Sequence, residues 1–121
     1  MLAQKHRFHG HASLKYVYKH GDVSRSHFFT VRATLNSRRQ MPRCSVVVSK
    51  KVLKSAVGRN RIRRRVYHIV HEELAKITTA QDIVVGVHSA EVAFAPYSDL
   101  QRQLRTQLSE VSVYLESRES A

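Results

Sequence analysis

A chain of 121 residues that is 42% hydrophobic is long enough to bury a core of its own and too short for two domains. Its formal charge of +12, from 21 Lys and Arg against nine Asp and Glu, selects polyanionic partners. A single cysteine excludes a disulfide framework, the basic N-terminus lacks the apolar core of a secretory signal, and no run approaches the roughly 18 apolar residues of a membrane span; a soluble, cytoplasmic protein is expected.

The charge is segregated along the chain. Residues 1–71 carry 17 Lys and Arg against the single acid Asp22, a balance of +16, whereas residues 72–121 carry four against eight, a balance of −4.

Residues 1–12 read as a flexible basic arm with His6, His9 and His11 around Gly10. Without cysteine or carboxylate company these histidines do not make a zinc set. Ser13 then caps a short helix whose apolar stripe is Leu14, Val17 and Tyr18 and which Gly21 closes. From His27 to Leu35 the alternation puts Phe29, Val31, Ala33 and Leu35 on one face of a strand and Phe28, Thr30, Arg32 and Thr34 on the other. A further short strand fits before Phe28. Asn36 to Arg43 is a loop by composition, and Cys44 to Ser49 a second strand, paired with the first as a hairpin. Cys44, inside CSVVV, reads as a small buried hydrophobe.

The segment from Ser49 to Val70 packs eight basic residues and no acidic one between Lys50 and Arg65. From Ala56 onward Ile62, Val66, Ile69, Val70 and Ile77 share one helical face. Asn60, Arg61, Arg64, His68 and His71 point the opposite way, Arg63 and Arg65 flank them, and Arg59 sits near the helix start. A solvated helix face alternates signs to gain small pair energies, whereas this one accumulates like charge at a repulsive cost. A polyanion offsets that cost, and guanidinium suits phosphate because its planar fork is always charged and donates two parallel hydrogen bonds.

Asp82 to His88, β-branched and short, reads as a central strand. Ser89 to Pro96 is a connection, and Ser98 with Gln101 forms a capping box for a last helix with the stripe Leu100, Leu104, Leu108, Val111 and Leu115. A polar tail follows from Ser117 to Ala121. The order of elements gives an α+β single small domain, helices packed on one sheet. Asp82, Glu72 and Glu73 form no acidic metal cluster and read as solvated or helix-paired, so no catalytic residue and no protein-held metal is expected. Phe28, Thr30 and Arg32, with Ser45, Val47 and Ser49 on the neighbouring strand, can line a groove that Tyr18 closes. Alternation alone leaves open the reverse, with Phe28 in the core and Phe29 facing the groove.

SKK at Ser49 to Lys51, followed by AVGRNRIRRR from Ala56 to Arg65, resembles the signature of the bacterial ribonuclease P protein subunit. YKHG at Tyr18 to Gly21 and DIVV at Asp82 to Val85 fall where that family has counterparts. The resemblance implies an α-β-β-β-α-β-α sandwich with the RNR helix in a left-handed βαβ crossover. It also implies a ribonucleoprotein endonuclease whose RNA subunit performs catalysis, with magnesium held mainly by RNA and none bound tightly by the protein alone. The reaction removes the 5′ leader from precursor tRNA, and one protein per RNA is expected. By the same resemblance Lys50, Lys51, Lys54, Arg59, Asn60, Arg61, Arg63, Arg64 and Arg65 bind the catalytic RNA, while Leu14, Tyr18, Phe28, Thr30, Arg32, Ser45, Val47 and Ser49 bind the leader. Leu14 and Tyr18 stand where relatives often carry aromatics, so only Tyr18 keeps a ring, while Arg32 stands where some relatives have an aromatic and Tyr67 where some carry a base. The alternative, a structural or ribosomal RNA-binding protein, shares the charge and size but does not require the SKK and RNR composite.

Overall fold

Helix α1 (His11–His20) leads into strands β1 (Asp22–Arg25), β2 (Phe29–Leu35) and β3 (Arg43–Val48), then helix α2 (Ala56–Leu74), strand β4 (Gln81–Val87), a 3-10 turn at Ala90–Ala93 and helix α3 (Tyr97–Ser120). This computed structural model describes residues 11–36, 41–77 and 80–120, with side chains for 14–36, 41–77 and 80–111. The histidines at positions 6 and 9 lie outside the described residues. α1 begins at His11, two residues before Ser13, and the polar tail from Ser117 continues as the end of α3.

The strands form one sheet in the order β1-β2-β4-β3, antiparallel except for the β3 and β4 pair. The expected hairpin between β2 and β3 is therefore corrected: β2 hairpins with the short β1, and β4 lies between β2 and β3. Ile83, Val84 and Val85 are buried on both faces of the sheet, and a run apolar on both sides is stable only at the centre. The parallel β3 and β4 then need a crossover, which α2 supplies.

Alternation divides the sheet into two surfaces. Phe29, Val31, Ala33, Cys44, Val46, Val48, Ile83, Val85 and Val87 join Ile62, Val66, Ile69, Val70 and Leu74 of α2 and Leu100, Leu104, Leu108 and Val111 of α3 in the main core. On the opposite face Val17 of α1 packs on Val84, with Leu14 and Val47 beside them. Burial pushes the Cys44 thiol up, beyond reactive range. Gly21 ends α1 without a left-handed conformation. It is required instead by close approach, since a Cβ there would come within 2.6 Å of the Val17 carbonyl oxygen.

Three local expectations change. α2 ends at Leu74, so Ile77 packs against the core from beyond the helix. Ser98 lies inside α3, and Gln101, instead of closing a capping box, donates from Nε2 to Glu72 Oε2 at 3.2 Å. Asp82 and Glu73 are buried rather than solvated. Arg43 grips Asp82 through Nε and Nη2, both at 2.9 Å, while Asn36 Nδ2 donates to Asp82 Oδ2 at 2.7 Å. Glu73 takes Arg105 Nε at 2.8 Å and Lys76 Nζ at 2.9 Å. A carboxylate removed from water needs cations of this kind.

Candidate nucleic-acid interface

The N-terminus of α2 is set by Ser55, whose side chain accepts a hydrogen bond from the Gly58 N–H at 3.1 Å. Its first turn contains no acid, although the positive end of a helix favours one. Arginines there add to the positive potential of the free N–H groups, an arrangement unfavourable to the isolated helix and favourable once an anion binds.

The buried stripe of α2 fixes which basic groups face outward. Lys50, Lys51, Lys54, Asn60, Arg61 and Arg64 are exposed, and Arg59, Arg63 and Arg65 are half-buried. Their guanidinium groups are not equally free. Arg59 Nη1 folds back to the carbonyls of Leu53 at 2.9 Å and Lys54 at 2.6 Å. Arg63 Nη1 donates to Asn60 Oδ1 at 3.0 Å. Arg61 Nε reaches the Ala93 carbonyl at 3.0 Å, and Arg65 bridges the carbonyls of Val92 and Ala95, each at 2.6 Å. Those oxygens stabilise the crowded cations, so part of the arc organises the protein while Arg64 and the three lysines, whose side chains have no hydrogen-bond or ion-pair partner among the described residues, remain open to an outside anion.

Tyr67 does not contribute a cation to this face. Its hydroxyl accepts a hydrogen bond from the Val46 N–H at 3.2 Å, satisfying a backbone donor on the outer edge of β3 that would otherwise invite another strand.

Across the sheet, register groups the other nominated residues. Arg32 faces Val84, and Thr30 faces Gly86; Ser45 and Val47 stand opposite the same two β4 residues. All four share the face on which α1 packs, and Ser49 follows exposed at the end of β3. The Arg32 guanidinium lies over the Tyr18 ring at 4.7 Å from its centroid, an attraction worth about 0.5–1 kcal/mol when exposed. The pair offers a flat cation and a ring that is 45% exposed. Thr30 Oγ1 is hydrogen-bonded to His88 Nε2; His88, just past β4, is a member of this surface that the strand pattern did not single out.

Phe28 does not belong there. It precedes β2 at a bend, where strict alternation fails, and its ring packs against the main core and lines a groove beside α3 with Arg25 and Gln103. Phe29 is fully buried in the same core, so neither ring faces α1.

Among the described residues no three His, Cys, Asp or Glu side chains converge as metal ligands. Asp82, Glu73 and Asp99 are each occupied by arginine.

A sequence profile of the family described as Ribonuclease P matches residues 2–112. The ribonuclease P protein component of Pseudanabaena sp. (strain PCC 6903) is 32% identical over 114 residues, covering 93% of this chain and 97% of the relative. That of Chloroflexus aurantiacus (strain ATCC 29366 / DSM 635 / J-10-fl) is 43% identical over 65 residues, covering 54% of this chain and 47% of the relative. The RNase P protein of Staphylococcus aureus superposes with a TM-score of 0.76 at 26% identity, over 88% of this chain and 97% of that one. The Thermotoga maritima protein has the same fold, with a TM-score of 0.73 at 23% identity over 88% of this chain and 94% of its own. The cytoplasmic expectation is corrected on the same finding: these relatives are bacterial, where the word separates no organelle from another, and no compartment is assigned. A profile match across nearly the whole length, a relative alike from end to end and the RNR helix on its sheet place the chain in the family of bacterial ribonuclease P protein components.

Proposed function

We propose that the outer face of α2 holds the catalytic RNA while the α1 face of the sheet receives the single-stranded 5′ leader of precursor tRNA. Family membership makes the chain the protein subunit of an RNA-catalysed ribonucleoprotein endonuclease, with RNA and precursor tRNA as partners. The division of labour between two faces is our reading. One observation carries it: the open cations of α2 and the Tyr18–Arg32 pair lie on opposite sides of one sheet. Two dense phosphate chains repel each other, and a thin cationic layer between them lowers that repulsion without breaking a bond.

Each part of the surface has a defined task in this reading. Lys50, Lys51, Lys54 and Arg64 contact phosphates, Arg61 does so with the edge of its guanidinium turned away from Ala93, and Arg59, Arg63 and Arg65 shape the helix and its neighbours. The amide of Asn60, held by Arg63, presents its donors outward. On the other face Tyr18 and Arg32 stack with leader bases above the small groups Thr30, Ser45 and Ser49, while Leu14 and Val47 form the apolar floor. Magnesium is assigned to the RNA subunit, and one protein to each RNA. We also assign a left-handed sense to the β3-α2-β4 crossover, supported by the overall superposition on the Staphylococcus aureus protein.

Reconstitution with purified ribonuclease P RNA tests the proposal. The expected result is 5′ maturation of precursor tRNA at magnesium concentrations where the RNA alone is nearly inactive, with no cleavage by the protein alone. RNA binding without stimulation would instead indicate a structural RNA-binding protein.

A further inference from the structure

We infer that Phe94 is a stacking platform for an unpaired base of the catalytic RNA, set on the turn that Arg61 and Arg65 of α2 hold. The inference rests on the reading of α2 as the RNA-binding helix. Phe94 is 81% exposed, against 54% and 45% for Tyr16 and Tyr18, the other large aromatics well exposed among the described residues. A phenylalanine has no polar atom to reward contact with water, and this ring stands outside the core with its face uncovered.

The backbone that carries the ring is held on both sides. The Phe94 N–H donates to the Glu91 carbonyl at 2.9 Å. The carbonyl before it, at Ala93, accepts from Arg61 Nε at 3.0 Å, and the carbonyl after it, at Ala95, accepts from Arg65 Nη2 at 2.6 Å. Beneath it Val92 and Ala93 are buried. A ring on so fixed a turn loses little conformational freedom on binding, which is what makes a side chain an effective platform.

Charge identifies the occupant. The arginines that hold the turn belong to the strip whose first member is Val57, one helical turn before Arg61 and 77% exposed. The Nη groups of Arg61 make no hydrogen bond among the described residues. A phosphate on those groups with its base on Phe94 satisfies a cation and a π-face with a single nucleotide. An apolar protein partner would have to bury the Arg61 Nη groups with no acceptor to offer them. The turn packs with α2, on the opposite side of the sheet from Tyr18 and Arg32, so the strand it meets is the catalytic RNA and not the leader.

The test uses the full chain with Phe94→Ala, Phe94→Leu and Phe94→Trp, titrated against ribonuclease P RNA at several salt concentrations. We expect Phe94→Ala to bind about five- to 150-fold more weakly, the range of one lost base stack, with the log-log salt slope unchanged because no phosphate contact is removed. Phe94→Leu, apolar but without a π-face, behaves like alanine, and Phe94→Trp binds like the parent. Parental affinity for Phe94→Ala or Phe94→Leu would overturn the inference, as would a melting temperature lowered in Phe94→Ala, which would make the ring part of the core. If the parent chain binds but Phe94→Ala is indifferent, only the platform falls; if the parent does not bind the RNA, the reading of α2 falls with it.

Discussion

The outer face of α2 and the α1 face of the sheet treat their cations in opposite ways. On α2 five arginines stand within seven positions, from Arg59 to Arg65, and four of them already hydrogen-bond to the protein, three to backbone carbonyls. On the sheet, Arg43 is neutralised by Asp82 and Arg32 lies across a tyrosine ring. The density of charge on α2 therefore overstates the number of free cations, whereas the sparse charge of the sheet is paired with a flat surface suited to bases. Counting lysines and arginines identifies a polyanion partner; only their contacts say which groups touch it.

The largest effect we expect comes from the ion pair under the α1 face. Asp82→Ala takes the carboxylate away from the largely enclosed guanidinium of Arg43 and should cost about 3–5 kcal/mol, lowering the melting temperature by roughly ten degrees or more. Thermal unfolding followed by circular dichroism measures it. Replacing both partners, with Arg43→Met and Asp82→Leu, should recover most of the loss, because no stranded charge remains. A double variant as unstable as the single one would show that the pair contributes more than mutual neutralisation.

Next in size is the separation of the two surfaces. Tyr18→Ala or Arg32→Ala should weaken holoenzyme binding to precursor tRNA about fivefold to more than a hundredfold, the loss of roughly 1–3 kcal/mol of stacking. Affinity for the catalytic RNA and for leaderless mature tRNA should stay as in the parent. Equal loss with both tRNAs would move Tyr18 and Arg32 out of leader binding and erase the contrast between the faces.

The finest prediction concerns neighbours on one helix. Arg64 is open, so Arg64→Ala should flatten the log-log salt dependence of RNA binding by about 0.7–0.9, one phosphate's contribution. Arg65 bridges two carbonyls, so Arg65→Ala should leave that slope nearly unchanged and lower stability instead, by about 1.5–3 kcal/mol for hydrogen bonds from a charged donor. Equal slope changes in the two variants would mean that the carbonyl contacts give way when RNA binds.

Much of the site was legible because its signals are local. The stripe Ile62, Val66, Ile69 and Val70 is buried as its spacing requires, which forces Asn60, Arg61 and Arg64 outward. Alternation along β2 placed Thr30 and Arg32 on one face, and Tyr18 arrived there because Val17, its neighbour on α1, packs on Val84. Phe28 leaves the pattern that Thr30 keeps, because alternation holds inside a strand and fails at the bend before it. The hairpin expected between β2 and β3 was wrong because adjacency in sequence favours pairing, but burial of β4 on both faces outweighs it.

By itself the sequence determined most of the helix and strand content, the segregation of charge and the position of the RNR helix, since these follow from periodicity and spacing within a few residues, while the family came from the resemblance of its SKK and RNR motifs. The tertiary structure alone decided which arginines are free, that Tyr67 covers a strand edge, that Asp82 is buried against Arg43 and that Phe94 stands uncovered. Each of those depends on a partner many positions away: Arg61 and Arg65 meet carbonyls 27 to 32 residues along the chain, and Arg43 meets a carboxylate 39 residues on. A side chain's hydrogen-bond partners and exposure are set by what the fold brings beside it, and no local pattern encodes that neighbour.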